Sequence, residues 1–351
     1  MHVEENKPLA PFTTFGIGGA ARWFAQAQTE DDVAEAVAWA RTRNAPLFVL
    51  GGGSNLLVSD AGFDGLVLHI ALRGITLQRA ESNAILSAAA GEDWDRCVQR
   101  SVEENCAGLE CLAGIPGTVG GTPVQNVGAY GQEVASAIER VRAFDTQTDS
   151  FVEFSAAECA FAYRRSRFNS TDRGRYIVTS VDYRVTPGGA PTLRYADLQR
   201  AFAAESKPKL TEVVEAVRRI RQSKGMLLVE GDADCRSAGS FFKNPVVTAE
   251  QVREIGAATQ AEPPRFPAGA GAENAGRVKV PAAWLIERAG FGKGFTRGRA
   301  AISSRHTLAL TNRGEATAAE VLALAEEIRS AVELRFGLRL EQEPVLLGFE
   351  S

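Results

Sequence analysis

The stretch Leu109–Gly131, LECLAGIPGTVGGTPVQNVGAYG, governs how the rest of the chain is read. It holds six glycines, Gly114, Gly117, Gly120, Gly121, Gly128 and Gly131, and Gly108 stands just before it. Glycine at that density serves either repeated tight turns or a backbone that a partner must approach closely. Ordinary turns rich in Gly and Pro are also rich in Ser, Asp and Asn. Here the fillers include Leu, Ile, Val, Ala and Tyr, which suits a segment buried against a partner better than one in solvent. Exposed backbone amides suit phosphate oxygens, so a ligand lined by this segment would be flat or phosphate-bearing. On glycine alone, plain turn structure and a ligand-lining backbone both stay open.

Working outward, 351 residues allow two or three domains, at about 100–200 residues each. A hydrophobic share of 45% and a charged share of 23% are those of a soluble globular protein. The net charge of −4 argues against nucleic acid as main partner, because phosphate backbones call for clustered Lys and Arg. The local run Arg218, Arg219, Arg221 and Lys224 still suits a small anionic ligand. No apolar run approaches the roughly 20 residues of a membrane span. The N-terminus, MHVEENKPLAPF, lacks a signal pattern, so the expectation is a cytoplasmic protein. Five scattered cysteines fit free thiols in a reducing compartment. Cys106 and Cys111 have no second pair or nearby histidine, and His2, His69 and His306 are far apart, so no metal site is expected.

Helices are expected at Asp31–Arg43 behind a Thr29 cap, Glu92–Asn105, Thr211–Ser223, Ala249–Ala257, PAAWLIERAG up to Gly290, and Thr317–Phe336. PLFVL reads as a buried strand, and LGGGSNLLV turns through glycines into another strand. A dinucleotide-binding βαβ unit would need a helix there, so that reading is weak. Further strands are expected at Ala84–Ala90, in the hairpin VRAFDTQTDSFVEF, at YIVTSVDYRV, in GSFFKNPVV and over Ala300–Thr311. AAECAFAYRRSRF reads as a short helix and turn, TPGGAPTLRYADL as a loop, Glu230–Ser237 as a linker, and AEPPRFPAGAGAENAG as a surface loop. No repeat is visible. Strands and helices interleave without a βαβα rhythm, which favours α+β over a doubly wound sheet.

Six motifs occur in order along nearly the whole chain: FTTFGIGG at 12–19, LGGGSNLLV at 50–58, GLECLAGIPGTVGGTPVQNVGAYGQE at 108–133, AYRRSRF at 162–168, GSFFKNP at 239–245 and the terminal LEQEPV. Together they resemble the UDP-N-acetylenolpyruvoylglucosamine reductases, in the subtype with a tyrosine loop over UDP. The resemblance implies an α+β fold with a two-subdomain FAD-binding region of the vanillyl-alcohol-oxidase type, at 1–70 and 71–228. A substrate-binding α+β domain would follow at 229–351. It also implies FAD as cofactor, NADPH as co-substrate, UDP-N-acetylglucosamine enolpyruvate as substrate, and a monomer.

By the same resemblance Gly51, Gly52, Gly53, Ser54 and Asn55 would face the FAD pyrophosphate. Gly114, Ile115, Pro116, Gly117, Thr118, Gly120 and Gly121, with Asn126, Gly128, Ala129, Tyr130 and Gly131, would pass beneath the flavin and its ribityl chain. Neither glycine stretch contains a histidine, so FAD is expected to be held without a covalent bond.

Adding hydride to the vinyl carbon of an enolpyruvyl ether, and a proton to its neighbour, calls for a hydride donor, an enolate stabiliser and a proton donor. The resemblance gives the second role to Arg164 and Glu343 and the third to Ser240. Read alone, Arg164 is one surface arginine among several, Glu343 a solvated acid and Ser240 a turn residue. A carboxylate beside an enolate repels it unless protonated, so the role of Glu343 calls for a raised pKa or a shared proton. A serine hydroxyl serves as an acid only where donors stabilise its alkoxide, with Lys224, Lys243 and Asn244 as candidates. Tyr163, Tyr195, Lys224 and Asn244 would contact the sugar nucleotide, and Tyr195 would close over UDP. GMLLVEGDADCRSAG, between Lys224 and Ser240, is longer than the family pattern, and His306 lines the substrate domain. A related oxidase would lack GSFFKNP and the terminal glutamate; a dead binding module would lack Ser240, Arg164 or Glu343.

Overall fold

A computed structural model describes residues 1–203, 206–268 and 275–349. It divides into two compact units. The first is Met1–Lys7, Ala21–Gly53 and Asp64–Gln222; the second is Pro8–Ala20, Ser54–Phe63 and Ser223–Ser351.

In the first unit the Glu30–Thr42 helix starts at Thr29, whose hydroxyl accepts from the Asp32 amide while the Asp32 carboxylate accepts from Thr29. This reciprocal cap satisfies amides that a helix start leaves unpaired. The helix buries Val33, Ala36, Val37 and Ala40 along one side. Leu47–Leu50 runs parallel to Phe63–Ile70 at one edge of a four-stranded sheet. The expected burial of PLFVL is partial, since Val49 at this edge is 36% exposed.

Tyr176–Pro187 is the hub of a six-stranded antiparallel sheet. It pairs with Ile138–Asp145 on one side and Ala84–Ala89 on the other, and its far end takes Cys106–Ala107. Alternate residues of Ala84–Ala89 are buried, the period-two pattern of a strand with one packed face. Trp94–Glu103, capped by Asp93, and Leu210–Ser223 add Cys97, Val98, Val213 and Val217 to the same core.

The second unit is built on the Ala318–Phe336 helix, capped by Thr317 and ended by Gly337 in the left-handed region. It is packed with Ala282–Arg288, Ala249–Thr259 and two three-stranded sheets. Segments from early in the chain complete this core: Phe15 and Leu57 are fully buried in it beside Phe241 and Phe242. Leu56–Val58 pairs in parallel with the terminal strand Val345–Leu347. Among the described residues no helix is long and apolar enough to cross a membrane.

Several expected elements differ. AAECAFAYRRSRF forms turns and a one-turn helix at Arg167–Asn169, because Ala160 and Arg164 take positive φ, which a right-handed helix does not allow. Ala300–Thr311 is two strands, Ala300–Ile302 and Leu310–Asn312, split by a turn in which the Ser303 hydroxyl accepts the Arg305 and His306 amides. GSFFKNPVV is strand only at Val246–Val247, with a single bridge from Phe242 to Gln342. Glu230–Ser237 is no free linker: it holds a short helical turn, Ala233–Cys235, and buried Asp234. The expected surface loop at 261–276 lies partly outside the described residues; Phe266–Pro267 within it is a short strand.

Gly62 and Gly174 have φ of +84° and +80°, but a Cβ on Gly62 would lie 2.0 Å from the Ala20 carbonyl oxygen, whereas Gly174 has no neighbour within 4 Å. Gly174→Ala is expected to cost about 1 kcal/mol, the backbone penalty alone. Gly62→Ala adds the clash and should cost more than about 3 kcal/mol. Urea unfolding of the two variants checks this; equal losses would show that the Gly62 contact relaxes freely.

Candidate active site

In the first unit the two glycine stretches meet. A Cβ on Gly52 would lie 2.6 Å from the Gly117 Cα, and one on Gly51 would lie 2.8 Å from the Thr118 hydroxyl. No side chain fits at Gly52, where backbone lies directly on backbone. Among the described residues the amides of Gly52 and Gly53 donate to no backbone carbonyl. Amides left open in a glycine turn form the kind of concavity that receives phosphate oxygens. Gly121 has no positive φ, and among the described residues no atom lies within 4 Å of where its Cβ would be. Open amides and open space beside a tight backbone fit the pyrophosphate and flat ring of an FAD.

Side chains hold this segment together with a few backbone bonds, among them Trp94 N to Gly117 O and Val119 N to Glu92 O. Glu110 is 1% exposed. It accepts from the Gly108 amide at 2.7 Å, from Gln132 Nε2 at 2.8 Å and from the Thr192 amide at 2.8 Å. Asp95 accepts from the Gly114 amide at 2.6 Å and pairs with Arg218. Arg221 is buried and donates to the Gly114 carbonyl at 2.9 Å. Burial lowers its pKa from the ordinary value, and Tyr130 and Asp95 oppose that fall. Arg218 and Arg221, expected as anion binders, are therefore committed to the protein. The roles of Glu110 and Asp95 went unread in the sequence; a lone acid between Leu109 and Cys111 was the available signal.

Asn126, Tyr130 and Arg164 all have positive φ, 45°, 49° and 55°. Such backbone in non-glycine residues costs energy and clusters at functional sites. The Asn126 side chain is spent on the protein: Nδ2 donates to Ala162 O and to Glu133 Oε2, and Oδ1 accepts from Ala135. It is thus a staple rather than a free cofactor contact. The Arg164 guanidinium donates to the Gly128 carbonyl through both terminal nitrogens at 3.2 Å and lies 5.6 Å from the Tyr163 ring centre. Tyr195, 40% exposed, stacks edge-on against Tyr130 with ring centres 5.4 Å apart. The tyrosine loop thus rests on the glycine segment.

In the second unit Ser240 and Glu343 lie on adjacent runs of chain. The Glu343 amide donates to Phe241 O, Lys243 N donates to Glu341 O, and Phe241 N donates to Leu308 O, all within 2.8–2.9 Å. Asn55 joins them, its side-chain amide donating to the Glu343 carbonyl at 3.3 Å. Of the expected donors for Ser240, Lys243 pairs with Glu341 at 2.6 Å, and Asn244 Oδ1 accepts the Ala282 amide at the start of a helix. Burial first, then the charges of Lys224 and Lys293, pushes His306 down to about 4.

Sequence and structure comparisons agree with this geometry. Residues 231–347 match the C-terminal domain of UDP-N-acetylenolpyruvoylglucosamine reductase, and residues 21–153 match an FAD binding domain. A UDP-N-acetylenolpyruvoylglucosamine reductase of Streptomyces coelicolor is 48% identical over 97% of this chain and 89% of its own length. One from Streptomyces avermitilis is 46% identical over 100% and 97%. The chain belongs to the UDP-N-acetylenolpyruvoylglucosamine reductase family. The crystal structure of the family's Thermus caldophilus enzyme superposes with a TM-score of 0.67 at 27% identity, covering 99% of both chains. The fold is α+β, an FAD-binding region with a C-terminal α+β domain of the reductase family, as the motifs implied. Family membership makes the chain an FAD-dependent oxidoreductase, with NADPH as co-substrate and no covalent flavin bond.

His306 bears on acid stability. Its folded pKa lies below the unfolded one, so between about 6.5 and 4 the unfolded chain binds the extra proton and stability falls as pH falls. His306→Gln should flatten the decline of melting temperature from pH 6.5 to pH 4.5. An unchanged slope would place the imidazole in water.

Proposed function

We propose that the chain reduces the enolpyruvyl group of UDP-N-acetylglucosamine enolpyruvate to UDP-N-acetylmuramate with NADPH, a step of peptidoglycan precursor synthesis. The observation that carries this reading is the seating of Gly52 on Gly117, which brings two amide-bearing stretches together as FAD requires. Bound FAD supplies the hydride carrier between NADPH and the vinyl carbon.

The chain's own residues would do the rest. Gly51, Gly52 and Gly53 offer short backbone to the pyrophosphate, with Ser54 and Asn55 beside them. The backbone of 114–121 and 128–131 lines the flavin and ribityl chain. Arg164, with its fixed charge and its fork held on the Gly128 carbonyl, opposes the negative charge that develops on the substrate carboxylate. Glu343 acts with it, in protonated form or sharing a proton with the substrate. Ser240 delivers the proton to the carbon beside the carboxylate. Lys224, Lys243 and Asn244 are the donors that would offset its alkoxide. Tyr163, Tyr195, Lys224 and Asn244 hold the sugar nucleotide. In this reading 1–70 and 71–228 serve FAD and 229–351 serves the substrate. The enzyme works as a cytoplasmic monomer, a location supported by five free, buried cysteines.

Ser240→Ala leaves the glycine stretches intact. NADPH should still bleach the flavin at close to the normal rate, while reoxidation by the enolpyruvyl substrate slows by about 10²–10⁴-fold. Cysteine at 240 should restore part of the loss, because a thiol yields its proton more readily. Normal reoxidation in Ser240→Ala would assign the proton to Glu343 or water.

Tyr195→Phe keeps the ring on Tyr130 and removes only the hydroxyl. It should raise KM for the sugar nucleotide and spare flavin reduction by NADPH. An unchanged KM would make Tyr195 a packing residue only.

A further inference from the structure

The run between Lys224 and Ser240 contains Asp232 and Asp234, and neither has a role in the chemistry above. Asp234 is 4% exposed yet fully engaged. It accepts from the Ser304 amide at 3.0 Å and hydroxyl at 2.5 Å, from Arg305 Nε at 3.0 Å and from Arg313 Nη2 at 2.8 Å. Asp232 pairs with the other end of Arg305 and accepts the Asp234 amide at 3.0 Å. Two acids and two arginines thus form a charge-balanced knot. Buried ion pairs of this kind stabilise little beyond what apolar packing would, but they fix register where geometry must be unique.

The knot touches both ends of the segment. Gly225, next to Lys224, has φ +64°. A Cβ there would lie 3.1 Å from the Asp234 Cβ and 3.4 Å from both Arg305 Nε and Ser303 Oγ. The turn that presents Lys224 therefore sits directly on the knot. At the other end the Arg236 carbonyl accepts the Asn312 amide at 2.9 Å. The Ser237 carbonyl accepts the Thr14 hydroxyl at 2.6 Å, and the Ser237 hydroxyl accepts the Gly239 amide at 3.2 Å, one residue before Ser240. Leu227 O accepts the Cys235 thiol at 2.7 Å, closing the loop on itself.

We propose that Asp234 is a positioning residue for sugar-nucleotide binding. It knots Ser304, Arg305 and Arg313 into a rigid seat that sets the direction of Lys224. The inference rests on the reading of Lys224 as a substrate-binding cation. Burial alone would raise the Asp234 carboxyl, but its bonds from Ser304 and Arg305 and the charge of Arg313 hold it at about 2, so the knot is intact at neutral pH.

The test is a double-mutant cycle in the FAD-loaded enzyme, with UDP as probe in calorimetry and KM for the enolpyruvyl substrate measured alongside. Asp234→Asn keeps the shape but sets an amide donor against arginine. It should weaken UDP about tenfold with an unchanged flavin spectrum, and Lys224→Ala should weaken it at least as much. The double variant should bind UDP no more weakly than Lys224→Ala alone, since Asp234 acts through Lys224. Additive losses, or unchanged UDP affinity in a folded Asp234→Asn, overturn the proposal. If Lys224→Ala binds UDP normally, the substrate reading of Lys224 fails first and the positioning role falls with it. Should Asp234→Asn not fold, Arg313→Gln removes one donor from a partly exposed guanidinium and is read by the same criteria.

Discussion

The contact of Gly52 with Gly117 is the constraint from which the first unit's site follows. A Cβ at position 52 would strike that backbone, so Gly52 must be glycine. Backbone bonds from Trp94 to Gly117 and from Val119 to Glu92 hold the second stretch. Buried acids and amides add to them: Glu110 with three donors, Asp95 on the Gly114 amide, Gln132 and Asn126 across the segment. A buried carboxylate is tolerated only when its oxygens are satisfied. Glu110 meets that condition by organising irregular backbone. The same device recurs in the second unit, where Asp234 gathers two arginines and a serine.

Local signals carried most of the secondary structure. Thr29, Thr248 and Thr317, each followed three residues later by Asp, Gln or Glu, are helix starts with both halves of the capping box formed. The alternation in YIVTSVDYRV gave the central strand for the reason that its two faces meet different layers. Long-range facts were not legible. Nothing local in FTTFGIGG or SNLLV says that Phe15 and Leu57 complete a core built largely of residues after 238. AAECAFAYRRSRF has helical composition, and only the positive φ of Ala160 and Arg164 breaks it. Glu230–Ser237 reads as a linker because the arginine partners of Asp232 and Asp234 stand some seventy positions away.

The candidate site was legible in a different sense. Its motifs identify a family, whereas the physical reasons for each residue type emerge only from the fold. Asn126 illustrates the gap. Its motif places it beside the flavin, while its side chain is consumed by Glu133, Ala135 and Ala162. What it gives the site is a fixed left-handed bend just before Gly128, and Gly128 O is the atom that anchors Arg164. An asparagine tolerates that backbone better than most residues, because its short polar side chain bonds locally.

The electrostatics of the second unit follow from the same economy. Lys224 and Lys293 act on a buried His306, and burial with those charges keeps its imidazole neutral until about pH 4. Lys243 is neutralised by Glu341, and the Asp232–Asp234 knot balances Arg305 and Arg313.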